Sequence, residues 1–90
     1  MAWFSKPSTE RDAVMSLSVA AGIYARNPNS ADGKSRMAEA LSNYITVVRE
    51  KGQSNQPGDF NSGSDFKKVF GISPTDSPAV RYNKITTFRI

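Results

Sequence analysis

SADGKSRMAEALSNYITVVREKG, residues 30–52, is the stretch on which the fold turns. Met37, Leu41, Tyr44, Ile45 and Val48 recur at steps of three and four, and Val47 widens their stripe. That spacing places them on one face of an α-helix. Lys34, Glu39, Asn43, Arg49 and Glu50 take the other side. Ser30 or a close neighbour caps the start, and Asp32 complements the positive helix end. Arg49 and Lys51 suit the negative end, and Gly52 supplies the stop.

Working outward, Asn27-Pro28-Asn29-Ser30 breaks the chain just before this helix, because Pro28 disfavours helical geometry in the residue ahead of it. A first helix is expected from Thr9 to Arg26. Ser8 and Thr9 offer caps, and Glu10 and Asp12 favour its first turn. Ala13, Leu17, Ala20, Ala21 and Tyr24 form its apolar stripe. With so short a turn between them, the two helices should make an antiparallel hairpin over residues 9–52. Ser18 and Gly22 lie one turn apart and are small, so a neighbouring helix can approach there, either within the hairpin or from another subunit.

Downstream, residues 53–63 form a polar loop punctuated by glycine and proline, with Phe60 as its single anchor. Residues 64–71 read as a short third helix presenting Phe66, Val69 and Phe70 on one face. Two Ser-Pro turn signals follow in residues 72–78. From residue 79 the period changes. Val80, Tyr82, Thr86, Phe88 and Ile90 fall on one side of an extended chain, and Arg81, Asn83, Thr87 and Arg89 on the other, with Lys84 and Ile85 out of pattern. This alternation, rich in β-formers, predicts a C-terminal extended or β arm over 79–90. The expected architecture is therefore mainly α: one domain over residues 1–90, built from a helical hairpin, a short helix and that arm.

Composition limits the function. Leu, Ile, Val and Phe make only 18 of the 90 residues, a thin supply of core for a body this small. There is no Cys and no His, which removes disulfides, thiolate metal sites and the commonest general base. No phosphate loop, metal-ligand spacing or nucleophile–base pair occurs. No catalytic residue, metal or cofactor is expected. Residues 13–25 lean apolar, but Ser16, Ser18 and Gly22 interrupt them and they are too short to span a bilayer, so no membrane insertion is expected.

What remains is a role in binding or assembly: a small accessory or structural subunit of a larger complex, in the cytoplasm or in a soluble assembly such as a virion. Chains of this kind are common among small phage- and plasmid-encoded accessory proteins. A lone strand needs a neighbour to pair its backbone, so the arm is expected either to pack at home against the N-terminal lead or to meet a protein partner or second copy. Arg81, Tyr82, Lys84, Phe88, Arg89 and Ile90 are its candidate contact residues. Trp3 and Phe4 serve either as a further contact or as an apolar brace for the first helix. The net charge of +4 is spread along the chain with no basic run longer than two. A small nucleic-acid-binding or transcription-modulating protein is the alternative, with weak, salt-sensitive binding through Arg81, Lys84 and Arg89.

Overall fold

Capping decides where the helices begin. The structure, a computed structural model, describes residues 7–55 and 64–90. Helix α1 (Glu10–Arg26) starts at Thr9, whose hydroxyl accepts the Asp12 backbone N–H at 3.1 Å. It stops at Asn27, whose N–H donates to the Tyr24 carbonyl. Ser30 caps α2 (Ala31–Lys51) by accepting from the Gly33 N–H at 3.2 Å. Gly52 closes α2 in the left-handed region, with φ +81° and its N–H on the Val48 carbonyl. Such a conformation suits a residue without Cβ.

Helix α3 (Ser64–Phe70) ends the same way. Gly71 has φ +69°, and the Ile72 N–H reaches back to the Lys67 carbonyl at 3.0 Å. Ile72 is buried, which completes a Schellman-type stop with its apolar contact. Helix α4 (Pro78–Thr86) begins at Ser77, whose hydroxyl accepts from the Val80 N–H, with Pro78 in the first turn.

The start of α1 lies beside the end of α2, since Tyr44 bonds Glu10, so the pair is an antiparallel hairpin as the sequence leads one to expect. Ala13, Val14, Leu17, Ala20 and Ala21 of α1 meet Met37, Ala40, Tyr44 and Val47 of α2 in the core. Four of these nine are alanines, which let the helices approach closely but bury little area each. Phe66 and Phe70 of α3, Ile72 and Ile85 of α4 complete the core. Helix α3 packs on α1, and its Asp65 explains Gly22: a Cβ there would stand 3.2 Å from the Asp65 carboxylate. The close approach at Gly22 is therefore made by α3, within the chain.

The C-terminal segment corrects the expectation of an extended arm. Residues 78–86 are helical, and no strand occurs among the described residues. Ser77-Pro78, read from sequence as a turn, is a helix start: a capping hydroxyl followed by proline at the first helical position. Arg81 and Ile85, one turn apart, are the buried residues of this helix. Period-two counting misses that face because its innermost member is a charged residue. Trp3, Phe4 and residues 56–63, with Phe60, lie outside the described residues.

Candidate functional site: a buried charge junction and the outer face of the first helix

Glu10 is the first residue of α1, and it is buried. Its carboxylate receives donors from three other parts of the chain. Arg81 of α4 grips it twice, Nε to Oε2 at 2.9 Å and Nη2 to Oε1 at 3.0 Å. Tyr44 Oη of α2 donates to Oε2 at 2.7 Å. From the segment after α2, the Ser54 N–H reaches Oε1 at 2.7 Å and Gln53 Nε2 reaches Oε2 at 3.3 Å. Arg81 Nη2 also donates to the Ser54 carbonyl at 2.9 Å, and Gln53 Nε2 to the Pro78 carbonyl at 2.7 Å. One carboxylate and one guanidinium thus tie together the start of α1, the end of the hairpin and the start of α4.

The electrostatics follow from this geometry. Burial pushes the Glu10 carboxyl up, but donation from Arg81, Ser54 and Tyr44 outweighs burial and holds it below its ordinary value. Burial, then the hydrogen bond to Glu10, pushes the Tyr44 phenol well above the usual tyrosine range. A carboxylate with so many donors is a poor proton acceptor, the reverse of the tuning that general-base catalysis uses. The junction is built to hold segments in place. A shallow cleft of about 400 Å³ lies beside it, lined by Thr9, Glu10, Arg11, Lys51 and residues 52–54.

The expected contact residues of the tail are mostly turned inward. Arg81 is fully buried on Glu10. Tyr82 is half-buried, its ring 6.1 Å from that of Tyr44. Lys84 pairs with Asp76 at 2.8 Å and donates to the Gly71 carbonyl at 2.9 Å. Its hydrogen bond, then that from the Ser73 N–H, holds the Asp76 carboxyl below its ordinary value. Phe88 is half-buried between Tyr24 and Phe70, with ring centroids 5.8 and 5.0 Å away. Arg89 and Ile90 remain exposed.

From its place in the sequence Glu10 has only a helix-end role, and nothing there marks it as the hub. Nothing in the spacing of residues 10 and 81 says that they meet. The available signal was local: the Ser77-Pro78 helix start would have put Arg81 and Ile85 on one inward face. Elsewhere, Met15 and Val19 stand one turn apart on the outer face of α1, 56% and 53% exposed. Val80 and Ile90 are the other large apolar residues exposed among those described. No helix here is long and apolar enough to cross a membrane, and no group of three or more potential metal ligands occurs among the described residues.

Comparison of the chain with protein-family models, with curated proteins and with solved structures finds no match to any of them.

Proposed function

We propose that the chain is a non-catalytic binding or assembly protein, a small accessory or structural subunit of a larger complex. The observation that carries this is the outer face of α1. Met15 and Val19 are left more than half exposed by a chain with very few large apolar residues to spend. In a small core each buried methylene stabilises the fold, so apolar side chains kept adjacent on the surface suit an intermolecular contact. The face contributed by α1 thereby takes over the role first expected of the C-terminal arm, whose Arg81, Lys84 and Phe88 are engaged within the chain.

A photo-crosslinking amino acid placed at Val19, in the full chain expressed in its source cells, tests this. A discrete protein adduct from Val19 but not from Ser42, exposed on α2, is the expected result. Absence of adducts from positions 15, 19, 80 and 90 alike contradicts it. Tight binding to an oligonucleotide that fades steeply with salt would replace it with the nucleic-acid alternative.

A further inference from the structure

The outer face of α1 is symmetric about Val19 in its chemistry. At 3.6 residues per turn, Asp12, Met15, Val19, Ile23 and Arg26 fall within an arc of about 80°. Met15 and Val19 are exposed and Ile23 is half-buried, so the centre of the arc is apolar. Asp12 and Arg26, both exposed, close its two ends with opposite charges. Asp12 lies seven residues before Val19 and Arg26 seven after it. Met15 and Ile23 lie four residues to either side. Among the described residues, Asp12 meets only its own turn, through the Ser8 hydroxyl at 3.3 Å and the Thr9 cap.

We propose that this face pairs with the same face of a second copy, with the two α1 helices antiparallel about a two-fold axis at Val19. Val19 then meets Val19 of the second copy, Met15 meets its Ile23, and Asp12 stands beside its Arg26. A two-fold contact requires a self-complementary patch, and this one is self-complementary in both apolar content and charge. Parallel pairing brings Asp12 to Asp12 and Arg26 to Arg26, so charge selects the antiparallel arrangement. Three apolar residues per copy make a small interface, at the low end of specific contacts. The dimer is accordingly weak. The proposal rests on reading the chain as an assembly protein and names its partner as itself.

Sedimentation velocity on the full chain, from low micromolar to near-millimolar concentration, reads the association directly. Val19→Glu sets two carboxylates against each other at the axis and should weaken the dimer about tenfold or more. Asp12→Arg and Arg26→Asp should each weaken it, and the two together in one chain should restore it, because the pair re-forms with its charges exchanged. Circular dichroism of each variant separates loss of pairing from loss of fold. The chain has no cysteine, so a single introduced thiol is a clean reporter. Val19→Cys should form an intermolecular disulfide about tenfold faster than Met15→Cys, whose copies lie about 12 Å apart along the axis. A chain that stays monomeric near millimolar concentration overturns the proposal. So does an Asp12→Arg/Arg26→Asp chain that associates no better than the single variants. If monomeric behaviour is found while Val19 still crosslinks to a different protein, self-pairing fails and the assembly reading stands.

Discussion

The two ends of α1 are held by opposite means. At its start, Glu10 is fixed by Arg81, Tyr44, Gln53 and the Ser54 backbone, an arrangement of charge and hydrogen bonds with almost no exposure. At its finish, Tyr24 meets Phe88 edge to face, and Phe88 in turn meets Phe70. The aromatic end gains from removing apolar area from water, which is favourable and only loosely directional. The charged end must first offset the desolvation of two ions, and does so only with every donor in place. Shape tolerates substitution at the first kind of contact; geometry forbids it at the second. A small core thus obtains a fixed position for its last helix from a charge pair, where a larger protein could use area.

The contrast predicts a graded series. Arg81→Ala should be the most damaging change, about 3–5 kcal/mol, because it leaves the Glu10 carboxylate buried without its cation. Set against the total stability of about 5–15 kcal/mol usual for a domain, that loss should move the urea denaturation midpoint far below that of the parent chain. Phe88→Ala should cost about 2–3 kcal/mol, less than a fully buried phenylalanine, since Phe88 is half-exposed and water can fill part of the gap. Thermal melting monitored by circular dichroism measures it.

Tyr44→Phe should cost about 1–2 kcal/mol and also change the pH dependence. Burial and then the bond to Glu10 raise the folded-state Tyr44 value above the unfolded one. Its stabilisation is therefore full below about pH 10 and declines as the pH rises further, when only the unfolded phenol ionises. The variant should lose part of that alkaline decline. Glu10 has the opposite sign. Its folded-state value is depressed, so its contribution is present above the ordinary carboxylate value and is lost as the pH falls from there through the lower folded-state value. Glu10→Gln should flatten the acid side of the stability profile. Asp76→Asn should have the smallest effect, because its pairing with Lys84 lies near the surface where water competes for both partners. A melting point matching that of the parent chain is the expected outcome.

The same division separates what the sequence discloses from what it hides. The hairpin is legible because its buried residues are apolar and periodic: Leu17, Ala20 and Ala21 on one helix, Met37 and Tyr44 on the other. Pro28, Ser30 and Gly52 punctuate it with residues whose backbone preferences leave few alternatives. Helix α4 is not legible in this way, since one of its two buried positions is Arg81, which every hydropathy count assigns to solvent. With that residue scored as polar, Tyr82, Phe88 and Ile90 read as a strand. The Glu10 hub is hidden for the same reason: its partner is 71 residues away, and long-range pairing of charges leaves no periodic trace. Arg89 and Ile90, expected on an extended arm, do stay at the surface, but beyond the end of a helix that is anchored inside.

The Glu10–Arg81 junction is the clasp that holds α4 to the hairpin. A double-mutant cycle of Glu10→Gln and Arg81→Met, each stability read from urea denaturation at neutral pH, tests it most directly. Each single change should be strongly destabilising, and the double variant should be more stable than their sum predicts by about 2–3 kcal/mol, because neither buried ion is then left alone. Losses that simply add would mean that the two residues act independently, and would contradict the clasp.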